Sequence, residues 1–273
     1  MTDRPRALII RTAGTNCDAE LVRAFELAGA ASELIHIRAL IDDPARFDAF
    51  DLIGFPGGFS YGDDVASGRI LAMQARERLY PALRAAADRG AAMIGVCNGF
   101  QVLVQVGLLP GPGKGEAWPE GAAPAARVAL GENEPPRFVD RWVGVEADGD
   151  SSCVWTRGLL GYDHRDQAML PVAHGEGRFI PEDQATLDRL IEHGQVALRY
   201  RDNPNGSAGD VAGICDASGR IFGLMPHPER YLDWNRHPFW TRLDRTACPE
   251  RTPGLAMFVG AVEAVRTHSL SQR

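Results

Sequence analysis

The stretch Ala91-Ala92-Met93-Ile94-Gly95-Val96-Cys97-Asn98-Gly99-Phe100-Gln101-Val102-Leu103-Val104-Gln105-Val106 decides the fold. Residues 91–96 carry no polar side chain and read as a strand buried on both faces; residues 98–106 read as a buried helix. Between them, Gly95-Val96-Cys97-Asn98-Gly99 has the G-x-nucleophile-x-G form. The turn from strand to helix is tight, and Gly95 and Gly99 leave room for it. Such an elbow holds the sulfur at the C-terminal edge of a sheet, where α/β folds place their ligands. The N-terminus of the following helix favours the thiolate, the reactive form of cysteine. The other four cysteines lack this setting: Cys153 and Cys215 read as core residues, and Cys17 as a structural residue in a strand-to-helix loop.

Working outward, apolar runs alternate with helical spacing. Residues 7–11, 32–37 and 51–55 read as strands and 18–29 as a helix with Gly29 as its stop. Residues 68–88 read as helical with a break near Pro81. This alternation predicts a mostly parallel sheet with helices on both faces. In the second half, 107–124 is crowded with Pro and Gly and reads as a loop. Strands are expected at 138–146, 153–156, 169–173, 196–200, 211–215 and 221–225, partly antiparallel, and helices at 182–193 and 254–266. The 273 residues, 45% of them apolar, are expected to form one domain.

A thiol nucleophile needs a base, and the base needs an orienting group. Met225-Pro226-His227-Pro228-Glu229-Arg230 offers both after a strand. The prolines disfavour helix at the residues before them, and in extended chain residues two apart project to the same side, so His227 and Glu229 can reach one region. Pro56-Gly57-Gly58-Phe59-Ser60 follows another strand, and its glycines permit backbone N–H groups to converge on an oxyanion.

Composition narrows the partners. Thirty-six acidic against 29 basic residues give a net charge of −7, with no basic run, which argues against nucleic acid. Five cysteines with no C-x-x-C pair form neither a disulfide framework nor a zinc ribbon. No signal-peptide layout or membrane-length apolar run is present, so a reducing cytoplasm is expected. No G-x-x-x-x-G-K-[ST] or H-E-x-x-H occurs, so no ATP or metal site is expected in this chain.

The elbow, the Gly-Gly turn and the His-x-Glu segment, in this order, resemble the class I glutamine amidotransferases with their Cys-His-Glu triad. The resemblance narrows to the glutaminase subunits of phosphoribosylformylglycinamidine synthase through residues 14–18 (GTNCD), 57–63 (GGFSYGD), 95–101 (GVCNGFQ), 171–177 (PVAHGEG), 205–207 (NGS) and 226–230 (PHPER). It implies a flavodoxin-like fold and a catalytic triad of Cys97 as nucleophile, His227 as proton relay and Glu229 as its orienter. It implies an oxyanion hole at the backbone of Gly58 and Asn98, beside Gly57, with Gln101, His174 and Gly175 lining the glutamine pocket or the partner interface. It also implies a synthetase partner that uses ATP and Mg on formylglycinamide ribonucleotide, and a small accessory subunit. Segments 42–47, 111–124 and 235–253 exceed compact members of the family and put partner contacts in question. Two other readings are a free-standing cysteine hydrolase on the same fold and a catalytically silent binding subunit.

Overall fold

The computed structural model describes residues 4–119, 123–162, 166–244 and 246–271. Strand β1 (Arg6–Arg11), helix α1 (Asp18–Leu27), β2 (Ala31–His36), the short α2 (Ile37–Asp42) and β3 (Leu52–Phe55) open the chain. Then come α3 (Arg69–Arg78), α4 (Tyr80–Asp88), β4 (Ala92–Val96) and α5 (Asn98–Val106). The second half holds β5 (Val128–Gly131), β6 (Val139–Ala147), β7 (Met169–His174), β8 (Arg178–Pro181), α6 (Gln184–Glu192), β9 (Val196–Tyr200), β10 (Val211–Cys215), β11 (Ile221–Leu224) and α7 (Pro253–Ser271).

A nine-stranded sheet runs in the order β2-β1-β3-β4-β11-β10-β9-β6-β7, and β5 pairs with β8 apart from it. The five strands β2, β1, β3, β4 and β11 are parallel, and the remaining pairings are antiparallel. The chain therefore has the expected α/β fold, with parallel pairing confined to one side of the sheet. From β1 the chain crosses one way to β2, and from β3 the other way to β4. Right-handed crossovers then place α1 and the α3–α4 pair on opposite faces. Alternating antiparallel neighbours beyond β11 turn β9 and β7 back to its direction. As a result β1, β3, β4, β11, β9 and β7 all end at one edge of the sheet, and their exit loops share it.

The predicted break in the 68–88 segment falls at Leu79. Pro81 lies in the first turn of α4, where its missing N–H has no partner to lose. Asp183 caps α6 by accepting from the Thr186 N–H at 2.7 Å.

One expected strand is corrected. Residues 153–156 form a turn that leads into a 3-10 segment at Arg157–Gly161. Trp155 explains this. Its indole N–H donates to the Arg220 carbonyl at 2.9 Å, and its ring meets Phe25 and Phe258 edge-on, with centroids 6.2 and 6.1 Å away. The apolar run is buried by one aromatic cluster and needs no ladder. Also unforeseen are α2 and the β5–β8 pair, and α7 runs further than expected. Residues 120–122 and 245, within two segments expected as extra loops, lie outside the described residues. No helix among the described residues is long and apolar enough to cross a membrane.

Trp155 is fully buried and joins α1 to α7. Trp155→Ala should lower unfolding stability by about 3–5 kcal/mol, measured as a fall in the urea midpoint.

Candidate active site

Cys97 occupies a left-handed backbone conformation, φ 52° and ψ −108°, between β4 and α5. Such a conformation in a non-glycine residue is strained by about 1–3 kcal/mol. Its N–H donates to the Leu224 carbonyl of β11 at 2.8 Å, which ties the elbow to the neighbouring strand. Gly99 packs against β3 so closely that a Cβ there would lie 2.0 Å from the Phe55 carbonyl oxygen. Cys97 Sγ faces the Ala173 carbonyl at 3.8 Å, and the residue is 6% exposed.

His227 follows β11, and its N–H donates to the Pro171 carbonyl of β7 at 2.8 Å. Its Nδ1 lies 2.6 Å from Glu229 Oε1, with both side chains buried. An ionised carboxylate only accepts, so Nδ1 carries the hydrogen and Nε2 is left for proton transfer. Nε2 is buried with no hydrogen-bond partner. Burial alone would lower the His227 pKa. The Glu229 charge, its hydrogen bond to Nδ1 and the neighbouring Cys17 and Cys97 sulfurs outweigh burial and hold it well above the ordinary imidazole value. Cys97 and the His227–Glu229 pair thus follow the neighbouring parallel strands β4 and β11 at one sheet edge.

The Asn98 side chain joins the elbow to the loop after β3. Its Oδ1 accepts from the Ser60 N–H at 3.2 Å, and its Nδ2 donates to Asp63 Oδ1 and Gln101 Oε1, each at 3.1 Å. Gln101 Nε2 in turn donates to the Glu176 carbonyl. The Glu176 carboxylate accepts from the Ser67 N–H at 3.3 Å. Gln101 therefore buckles the 174–177 turn onto α5 beside Cys97.

His174 is 4% exposed and lies beneath that turn. Asn133 spends both Nδ2 hydrogens on the Arg137 and His174 carbonyls, at 2.9 and 2.8 Å. Its Oδ1 accepts from the Gly177 N–H and faces His174 Nδ1, both at 3.1 Å. His174 Nδ1 must then be the donor. Burial first, and the His227 charge second, lower its pKa to about 4, so it is neutral at pH 7. Gly175 accepts at its carbonyl from the Asn133 N–H at 2.8 Å. Asn205-Gly206-Ser207 stands one layer behind: the Asn205 carbonyl accepts from the Glu134 N–H at 2.9 Å, and Asn205 is fully buried.

Three neighbours of the site were not assigned from sequence. Cys17, fully buried, has its sulfur 3.9 Å from His227 Nδ1 and accepts from Arg230 Nη2 at 2.9 Å. Both residues lie inside motifs quoted above, and their meeting across 213 positions is a tertiary fact. Tyr200, at the end of β9, buries a hydroxyl with no hydrogen-bond partner. Burial first, and the charge of Cys97 second, raise its pKa. No local pattern marks it. Cys17, His227 and Glu229 also bring potential metal ligands within 4.8 Å of one another. The Nδ1–Oε1 bond already engages two of those atoms, and Arg230 adds a positive charge at the third.

A family model described as the CobB/CobQ-like glutamine amidotransferase domain matches residues 4–265. A phosphoribosylformylglycinamidine synthase subunit PurQ from Dehalococcoides mccartyi is 41% identical over 267 residues, covering 96% of this chain and 98% of that protein. A subunit PurQ from Archaeoglobus fulgidus is 34% identical over 244 residues, covering 82% and 87%. Among solved structures, a chain from the structure of PurLQS from Thermotoga maritima matches with a TM-score of 0.68 and 30% identity, covering 96% and 99%.

Two titrations follow with opposite signs. His227 binds its proton more tightly when folded, so its stabilising contribution is full below about pH 6.5 and is lost as pH rises through its raised pKa. His174 contributes fully above its ordinary value of 6.5 and loses that contribution as pH falls towards about 4. Between neutrality and pH 4 the His174 loss should reach about 3 kcal/mol. His174→Asn should flatten that acid limb in urea midpoints measured against pH. Glu229→Gln should lower the midpoint of the His227 imidazole resonance in an NMR titration.

Proposed function

The chain belongs to the glutamine amidotransferases, in the family of the phosphoribosylformylglycinamidine synthase subunits PurQ, and on that footing we propose how it releases ammonia from glutamine. It is a glutaminase subunit in purine biosynthesis, and its partner is the synthetase subunit. The relation to the PurLQS chain of Thermotoga maritima supports that partner. We add to the assembly a small accessory subunit, and assign ATP, Mg and formylglycinamide ribonucleotide to the synthetase. No cofactor is assigned to this chain, and the cytoplasm is its place.

The observation that carries the mechanism is the buried His227–Glu229 pair at 2.6 Å, with Nε2 left unpartnered on the far side of the ring. A buried, unpaired ring nitrogen is unfavourable by about 1–3 kcal/mol. It is retained where a proton must pass. In this reading the Cys97 thiolate attacks the glutamine side-chain carbonyl and forms a carbon–sulfur bond. The oxyanion is held by the N–H of Gly58 and of Asn98, whose position at the start of α5 leaves it without an intrahelical acceptor. The tetrahedral intermediate collapses, the carbon–nitrogen bond breaks, and His227 Nε2 gives its proton to the departing ammonia. Water then attacks the thioester while Nε2 takes a proton. Glutamate leaves and the thiolate is restored. Glu229 keeps the imidazole in the required tautomer and stabilises its charged form. Gln101, His174 and Gly175 support the wall over Cys97, with Gly57 under His227.

The test is glutamate release by the chain alone and with the synthetase, ATP and formylglycinamide ribonucleotide. The full mixture should stimulate release, and Cys97→Ala should abolish it by at least ~10³-fold. Release that ignores the partner would mark a free-standing hydrolase. An assembled complex with no release would mark a silent subunit.

A further inference from the structure

We propose that the loop after β1, residues 14–17, is a positioning element of the reaction: it fixes which way the Gly57–Gly58 peptide faces and braces the loop against the triad through Cys17. The inference rests on the assignment of Cys97 as nucleophile and deepens it.

The Gly57 carbonyl accepts from two backbone donors of this loop, Asn16 N–H at 3.4 Å and Cys17 N–H at 3.3 Å. In a trans peptide the carbonyl and the following N–H point in opposite directions. With the Gly57 oxygen held by the loop, the Gly58 N–H faces away from it. The neighbouring donors show what lies on each side. Phe59 and Tyr61 donate back to the Gly14 and Ala13 carbonyls, at 2.9 and 2.8 Å. Ser60, between them, donates the other way, to Asn98 Oδ1 on the elbow. The bridge bonds between the two segments are made by the residues flanking Thr15 and Gly58, so the Gly58 N–H is turned away from the 14–17 loop. Thr15 and Gly58 form the isolated bridge that this pattern requires.

The fit is close enough to specify the residues. Gly58 has φ 139°, and a Cβ there would lie 2.7 Å from the Gly14 carbonyl oxygen. A Cβ on Gly14, φ 84°, would lie 1.9 Å from the Phe59 carbonyl oxygen. The loop is seated at its other end by Cys17, whose sulfur accepts from Arg230 Nη2, while its thiol reaches Asn16 Oδ1 at 3.1 Å. Arg230 follows Glu229 directly, so the same contact joins the oxyanion side of the site to the His227 side. These residues touch no reacting atom. They act through the Gly58 peptide and through His227.

The experiment uses the complex assembled with the synthetase and measures two rates in each variant. Glutamine hydrolysis passes through an oxyanion. Alkylation of Cys97 by iodoacetamide, read by mass spectrometry of its peptide, displaces iodide at a saturated carbon and builds none. Gly14→Ala should lower kcat for glutamine by about 10²–10³-fold, the effect of losing one oxyanion donor. KM and the Cys97 alkylation rate should stay within about threefold of the parent. Cys17→Ala should lower kcat by about 10–100-fold, and Cys17→Ser, which restores a small acceptor for Arg230, should recover most of it. Equal falls in hydrolysis and alkylation would overturn the proposal, as would two unchanged rates. If Gly14→Ala fails to assemble, the Cys17 pair decides on the same two rates. Cys97→Ala, run alongside, separates the cases: hydrolysis surviving there defeats the nucleophile assignment itself.

Discussion

The site depends on one backbone conformation, the left-handed turn at Cys97. Its strain, about 1–3 kcal/mol, is offset by what grips the turn. The Cys97 N–H reaches β11, Gly99 lies against the β3 backbone, and the Asn98 side chain makes three hydrogen bonds to the loop and helix around it. At about 1 kcal/mol each, those hydrogen bonds outweigh the strain. The same contacts locate everything else. Asn98 holds the loop that carries Gly58, Gln101 holds the turn over the sulfur, and β11 delivers His227. Relaxing the turn would release each of these in succession.

The direction of the strands explains why distant segments converge. Seven strands end at one edge, so the loops after β1, β3, β4, β7, β9 and β11 share it despite their separation along the chain. The parallel half places Cys97 and the Gly57–Gly58 peptide. The antiparallel half brings β7 beside His227, whose N–H bonds to Pro171. Each half supplies part of the site that the other lacks.

Much of this was legible before any coordinates. The elbow, the Gly-Gly turn and the His-x-Glu segment are local patterns, and local patterns dictate local backbone. The turn at 153–156 was not legible, because Trp155 is buried by Phe25 and Phe258 from remote helices. Periodicity cannot distinguish a buried turn from a buried strand in a run this short. Nor could local reading pair Cys17 with Arg230 or find Asn133 behind His174. Those contacts span 213 and 41 positions. His174, expected to line the glutamine pocket or the partner interface, is 4% exposed. Its side chain spends its hydrogen bond on Asn133 and supports the turn from below.

The place of β11 has a consequence during synthesis. It lies between β4 and β10, so β4 has no partner on that side until residues 221–224 leave the ribosome. Cys97 emerges 130 positions before His227, an interval of roughly ten seconds at ordinary elongation rates. Through that interval the nascent chain exposes a fully apolar strand edge, the kind most open to mispairing. It also carries a thiol with no imidazole beside it. A chain halted anywhere in this window holds Cys97 without His227, so the order of the strands keeps the two apart until the sheet can close around them.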